Sequence, residues 1–258
     1  MSTHDAASYG DHIADVYDQW FTTVDEAAVA TLGDLAGNGR ALELGIGTGR
    51  MAVPLRRRGI EVHGIDASEA MVAKMRAKPD GAGIPVTIGD FADVAVDDQF
   101  ALIFVVFNTF FALLTQEEQV RCFQNVARHL EPGGVFVIEV FVPDLYRFAG
   151  RQTLRTTRIA DDQVLLEASK LDPVRQQVTT QSIWLSEQGT RLYPVHIRYA
   201  WPSELDLMAQ LAGLSLVHRW GNWEQAPFNA DSGKHVSVYG RTSSGAVQGL
   251  PTPRSPVV

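Results

Sequence analysis

The 258-residue chain carries 22 Lys and Arg against 30 Asp and Glu, giving a formal net charge of -8 and a pI of about 5.3. That balance argues against a nucleic-acid partner, which needs clustered cations; the one basic run, Arg56-Arg57-Arg58, falls at a helix end and complements its dipole. At 45% hydrophobic content the length suffices for one large α/β domain with an elaboration, and the single cysteine, Cys122, permits no intrachain disulfide and fits a reducing compartment.

The N-terminal Met1-Ser2-Thr3-His4-Asp5 lacks the basic and apolar regions of a signal peptide, and no uninterrupted apolar run reaches the roughly 18 residues of a membrane span. The expectation is a soluble, cytoplasmic protein with no membrane partner. Residues 11–21 place Ile13, Val16, Tyr17, Trp20 and Phe21 at helical spacing, and a second helix runs from about Asp25 to Leu35 before Gly37 and Gly39. Strands are expected at Ala41–Leu44, Ile60–Ile65, Ile84–Ile88, Phe100–Phe107 and Val135–Phe141. Between them lie a helix capped by Asp66 or Ser68 and another opened by the capping box Thr115-Gln116-Glu117-Glu118. Strict alternation of strand and helix means right-handed βαβ units and a parallel sheet.

From about Asp144 to Ala200 the pattern changes to extended segments, 152–159, 164–170, 177–185 and 191–199, broken by Asp161-Asp162, Asp172-Pro173 and Gln188-Gly189. Such spacing predicts antiparallel strands, inserted before a helix that starts at Pro202 and ends at Gly213. Strands at 214–220 and 235–241 follow, then a tail over 243–258 rich in Pro, Ser and Gly, expected to be disordered.

The chemistry concentrates where the first strand ends. Glu43-Leu44-Gly45-Ile46-Gly47-Thr48-Gly49 places glycine at every second position, allowing a sharp turn and close ligand approach, and the next helix offers unpaired N–H groups. A dinucleotide fingerprint reads G-x-G-x-x-G instead, which disfavours a nicotinamide oxidoreductase. In an open α/β sheet ligands sit at the carboxyl ends of the strands. Those ends supply Glu43 and the glycines, then Asp66-Ala67 for ribose hydroxyls, Asp90-Phe91 for an adenine, 107–111, and Glu139 with Phe141. A helix cap is the lesser alternative for Asp66.

The Glu-x-Gly-x-Gly-x-Gly order resembles motif I of the class I S-adenosylmethionine (SAM) methyltransferases, closely over about residues 35–142. The resemblance implies a Rossmann-like α/β fold with a seven-stranded sheet and an inserted small antiparallel β-sheet. It divides the chain into a SAM-binding core, 1–143 and 201–242, with an N-terminal lid helix, and a 144–200 insertion over the active site. It further implies that Glu43, Gly45, Gly47 and Gly49 line the methionine moiety, Asp66, Ala67 and Met71 hold ribose and adenine, Asp90 and Phe91 hold the adenine, and Asn108 closes the site. S-adenosyl-L-homocysteine is the product, and no metal is expected; the seven histidines have no ligand-like spacing.

For the methyl acceptor, Tyr9, Tyr17, Phe110 and Glu139 are the catalytic candidates, with Tyr17 also against the cofactor. Trp20, Phe111 and Phe141 join them as an aromatic pocket, while His196 and Tyr199 are more distant candidates; ordinary core packing competes for every aromatic, and a structural carboxylate for Glu139. The arrangement around Tyr9, Tyr17-Asp18 and 108–111 resembles small bacterial natural-product methyltransferases, especially N-methyltransferases of amino sugars, lincosamide-type antibiotics or peptide amines. Oxygen and carbon acceptors stay open, as does a SAM-binding protein without methyl transfer. The expected partner is a small-molecule acceptor, and self-association is left open.

Overall fold

The computed structural model describes residues 6–241; Met1–Asp5 and the 243–258 tail lie outside the described residues. Seven strands form one sheet in the order β10-β11-β5-β4-β1-β2-β3: β1 (Ala41–Leu44), β2 (Val62–Asp66), β3 (Val86–Ile88), β4 (Phe100–Val105), β5 (Leu130–Phe141), β10 (Leu214–Trp220) and β11 (Lys234–Arg241). The first five run parallel, and β11 is antiparallel to both β5 and β10. The chain reverses between β1 and β4, which opens a crevice at their carboxyl ends.

Local sequence explains the helix ends. Asp25 caps α3 (Glu26–Ala36) by accepting the Ala27 and Ala28 amides at 3.0 and 3.2 Å. Ser68 caps α5 (Glu69–Arg76), and Thr115 with Glu118 forms the expected box on α6 (Gln116–His129). α4 (Ala52–Arg57) follows the glycine loop, and α7 (Pro202–Leu211) starts on its proline. Among the described residues no helix is long and apolar enough to cross a membrane.

Two expectations need correction. The N-terminal helix is broken into α1 (Ser8–Ile13) and α2 (Tyr17–Trp20), because the chain turns at Val16, whose amide closes a short bond to Ile13 O. β5 starts at Leu130 instead of Val135: Leu130 already pairs with Phe100, and Glu131–Gly134 bulges out before Val135 pairs with Leu102.

The four extended segments pair as a second, antiparallel sheet: β6 (Gln152–Ala160), β7 (Gln163–Asp172), β8 (Gln177–Ser186) and β9 (Gly189–Arg198). Its base is tied to the core by Arg198, buried, which donates to Glu204 Oε1 at 2.7 Å and to Gln119, whose amide donates to Arg198 O at 2.9 Å.

Apolar clusters cover both faces of the main sheet. One surrounds Phe123, which meets Phe110, Phe136 and Tyr239 edge-on at 5.3–5.6 Å; the other gathers Leu32, Met51, Leu55, Met75 and Phe104. Phe123 is fully buried, so Phe123→Ala removes a ring from the middle of the first cluster. A loss of about 3–5 kcal/mol is expected in urea unfolding; a loss under about 1 kcal/mol contradicts this placement.

Candidate functional site

The site grows from the end of β1. Gly45 and Ile46 both donate to Ile65 O, at 2.8 and 3.0 Å, so the loop folds back over β2. Gly45 and Gly47 take φ of 72° and 55°, conformations that a side chain strains. A Cβ on Gly45 would stand 2.5 Å from the Thr109 methyl, and Gly47 turns its amide to Asp66 Oδ2 at 2.7 Å. The other Asp66 oxygen accepts the Ser68 amide at 2.8 Å. The α5 cap is therefore Ser68, and Asp66 braces the loop. Burial pushes the Asp66 carboxyl up, against the pull of those two amides.

Two charged groups stand inside the cavity without complete partners. Glu43 is 3% exposed and its Oε2 has no hydrogen-bond partner; burial drives its pKa well above the usual carboxylate value, against the Arg50 charge and the Ala52 amide. Arg50 lies over the Phe107 ring, 3.3 Å from its centre, and donates to Tyr17 Oη at 3.4 Å, while its buried Nε is unpaired.

The N-terminal helices cover the opening. Ser68 Oγ donates to Asp11 at 2.6 Å, Lys74 pairs with Asp15 at 2.8 Å, and Asp18 accepts Thr48 Oγ1 at 2.7 Å and Lys78 at 2.8 Å. Burial would raise Asp18, but the Lys78 and Thr48 hydrogen bonds outweigh it and hold the carboxyl low. On the far side Trp20 stacks edge-on against Tyr193 at 4.8 Å and tilts against Trp184 at 5.5 Å, which fastens the segment to the antiparallel sheet.

Of the residues singled out in the sequence, Tyr9, Tyr17, Glu43, Gly45, Gly47, Asp66, Ala67, Met71, Asp90 and Phe91 line this cavity. Asp90 accepts the Ala92 amide at 2.8 Å, and burial raises its carboxyl. Of the cofactor-binding and catalytic candidates, four do not line it. Gly49 is required by packing, since a Cβ there would meet Met75 Cγ at 2.5 Å. Phe107 and Asn108 both adopt left-handed φ, and this twist swings Phe110 into the core against Phe111 and Phe123. Asn108 Oδ1 accepts the Phe141 amide at 2.7 Å, which clips β4 to β5. Glu139 is a structural carboxylate: its oxygens take the Phe107 amide at 3.1 Å and Lys234 at 2.8 Å.

The expected aromatic pocket is also different. Phe111 and Tyr199 are core residues, Phe141 packs on Phe111, Trp20 faces the second sheet, and His196 stands beside Thr179. The aromatic wall consists of Tyr9, Tyr17, Phe91 and Phe107. Sequence reasoning passed over Arg50 and Thr48, both in the cavity, although they sit inside and beside the glycine motif that pointed to it.

A doubly wound sheet whose first turn holds a glycine cradle, with an acidic residue ending β2 and another following β3, defines a nucleoside-binding site. Comparison with known proteins agrees. Residues 41–134 match the family described as a methyltransferase domain. The chain is 30% identical to the cypemycin N-terminal methyltransferase of a Streptomyces species over 203 residues, 78% of this chain and 82% of that one. It is 31% identical over 138 residues to a dTDP-4-amino-2,3,4,6-tetradeoxy-D-glucose N,N-dimethyltransferase of Saccharopolyspora spinosa, covering 50% of this chain and 54% of that one. The solved CcbJ methyltransferase from Streptomyces caelestis superimposes with a TM-score of 0.87 at 43% identity, over 93% of this chain and all of that one. The chain belongs to the class I SAM-dependent methyltransferases. It is an enzyme that uses SAM, and the oxidoreductase alternative falls away.

The cavity residues fit that cofactor. The unpaired Glu43 oxygen and Arg50 nitrogen are complementary to the ammonium and carboxylate of a methionine moiety.

Glu43 also predicts a pH effect. Its pKa is raised on folding from an unfolded value of about 4.3. The stability tied to its proton is complete below that value and is lost as pH rises through the folded one. Glu43→Gln is therefore expected to match the wild type in urea unfolding near pH 4 and to gain on it progressively as pH rises to 8. A pH-independent difference contradicts a raised pKa.

Proposed function

We propose that the chain transfers a methyl group from SAM to an amine nitrogen of a small secondary metabolite. Similarity to the cypemycin N-terminal methyltransferase along 82% of that protein's length carries the reading, and the dimethyltransferase named above acts on an amino sugar by its name. Bound in the cavity, the cofactor supplies an electrophilic methyl on a positively charged sulfur. The residues of the chain do the rest by positioning and exclusion of water. Glu43, Arg50 and the glycine cradle fix the methionine end, Asp66 and Asp90 fix ribose and adenine, and Tyr9, Tyr17 and Phe107 present ring faces to the positive charge. The N-terminal helices serve as a lid, backed through Trp20 by Trp184 and Tyr193 of the 144–200 insertion.

The protein supplies no strong base in this reading. None of the described lining residues is a histidine, and burial pushes both Tyr9 and Tyr17 above the ordinary phenol value, so their hydroxyls stay protonated and act as hydrogen-bonding groups. An amine suits such a site because its free base carries its own lone pair. The nitrogen forms the new bond to carbon as the carbon–sulfur bond breaks, and the displaced ammonium proton leaves to water.

The deciding experiment is SAM turnover to S-adenosylhomocysteine with matched amine, hydroxyl and carbon acceptors. Product with amines alone is expected; product confined to hydroxyl acceptors overturns the assignment. The rate is expected to rise with pH along a limb that follows the acceptor amine's own pKa when amines are exchanged, and a limb fixed across acceptors means a protein base. Asp66→Ala is expected to weaken SAM binding at least tenfold in calorimetry with the circular dichroism spectrum unchanged, while undiminished binding removes Asp66 from the site.

A further inference from the structure

The end of β4 holds a backbone conformation that its own residues do not favour. Phe107 and Asn108 take φ of 57° and 66° in succession. Asparagine visits this left-handed region with some ease, but a bulky phenylalanine rarely does. Such a residue stays there only where its surroundings leave no alternative. Phe107 is also the residue on which the cavity's cation rests. Its ring centre lies 3.3 Å from the Arg50 guanidinium, which Tyr17 and Phe21 face from 5.6 and 5.1 Å. The backbone twist therefore decides where Arg50 has its closest support.

What holds the twist lies outside the cavity. The Phe107 amide donates to Glu139 Oε2 at 3.1 Å and the Asn108 amide to Glu139 O at 3.2 Å, so one residue of β5 receives both strained positions. Asn108 Oδ1 accepts the Phe141 amide in return, at 2.7 Å. Glu139 is 6% exposed, and a buried carboxylate is costly without a partner charge. Lys234 supplies that charge from β11, with Nζ 2.8 Å from Oε1. The two oxygens of Glu139 are thus divided, one for the ion pair and one for the Phe107 amide. Both neighbours are donors, so a glutamine there would have to turn its NH2 toward one of them. Neither Glu139 nor Lys234 lines the cavity.

We propose that Glu139, with Lys234 as its counter-ion, is a positioning residue for the carboxylate end of the cofactor. It acts through Phe107: the bond to the amide fixes the ring, the ring fixes the Arg50 guanidinium, and Arg50 takes the carboxylate of the methionine moiety. The proposal rests on the reading that Arg50 binds that carboxylate. It makes the last strand of the sheet a determinant of cofactor affinity, although β11 contributes nothing to the cavity itself. The adenosine end is independent of it. Asp66 and Asp90 lie on the other side of β1 in the sheet and bond to Gly47, Ser68 and Ala92.

Calorimetric titration with two ligands tests this. One is S-adenosylhomocysteine; the other is 5′-methylthioadenosine, which keeps the adenosine and the thioether but has neither carboxylate nor ammonium. Glu139→Gln is expected to weaken S-adenosylhomocysteine about tenfold, the scale of a lost cation–π support. 5′-Methylthioadenosine is expected to stay within about twofold of the wild type. Lys234→Met is expected to act in the same direction on the same ligand, and at 44% exposure it leaves the core closed if Glu139→Gln does not fold. In a Phe107→Leu background, where the ring is already gone, Glu139→Gln is expected to add less than about a twofold loss. Equal losses for both ligands mean a general loosening and overturn the proposal. So does unchanged affinity in Glu139→Gln and Lys234→Met, or an undiminished further loss in the Phe107→Leu background. Arg50→Met separates the proposal from the reading beneath it: it is expected to weaken S-adenosylhomocysteine more than Glu139→Gln does and to spare 5′-methylthioadenosine. If Arg50→Met weakens both ligands alike, the carboxylate reading falls and the proposal falls with it. No methyl acceptor enters the experiment, so its outcome is separate from the choice between amine and hydroxyl acceptors.

Discussion

The hydrogen bond from the Gly47 amide to Asp66 organises the active end of the protein. The loop that carries it has three residues at positive φ, a conformation that glycine tolerates but does not by itself favour. Something outside the loop must select it. Asp66 does so from the end of β2, with one oxygen on Gly47 and the other on Ser68, and thereby joins the loop to the start of α5. Because β2 neighbours β1, the loop leaves β1 already folded over the strand that holds it. Each half-buried amide finds an acceptor, and a carboxylate that burial disfavours gains two donors. The rest of the cavity follows: Glu43 stands two residues before the first glycine and Arg50 directly after the last, so a fixed loop brings a carboxyl and a guanidinium to one chamber.

How much of this was legible in the sequence depended on the range of the interactions. The glycine spacing, the capping residues Asp25 and Thr115 and the apolar β4 are local signals, and they placed the elements within a few residues. Ligand-side positions at strand ends were legible for the same reason, since a parallel sheet puts all those ends together. The errors lie where a backbone twist or a distant partner decides. Nothing around Asn108 announces left-handed φ at two successive residues, yet that twist sends Phe110 to the core. Glu139 looks like a site carboxylate until Lys234, 95 residues away, is seen to pair with it. Arg50 is the reverse case, the residue directly after the glycine motif, whose role appears only when Tyr17 and Phe107 close around it.

The N-terminal segment shows how short helices are held. α1 and α2 span six and four residues, far below the length at which an isolated helix persists. Three aspartates, Asp11, Asp15 and Asp18, fasten them to Ser68, Lys74 and Lys78 along one side of α5 and beyond it. Gly10 allows the close approach, since a Cβ there would stand 2.5 Å from Ser68. Tyr9 and Tyr17 reach the cavity only because the break at Val16 turns the second helix back toward Arg50. A continuous helix would hold them eight residues and about 12 Å apart along its axis.

The antiparallel sheet and the N-terminal helices are therefore joined to the core with different strengths. The antiparallel sheet is joined to the core through Arg198, a buried cation bonded to Glu204 and Gln119, and removing one partner from such a cluster leaves a charge unsolvated. The N-terminal helices are joined by partly exposed ion pairs, which water replaces with little loss, and by Ile13 and Val16 packed on Met71 and Tyr193. Opening at the sheet would strand a buried charge, and opening at the helices would not. On the proposal that the N-terminal helices are the lid, SAM enters and its product leaves past α1 and α2. The sheet then stays in place as the surface on which those helices close again through Trp20.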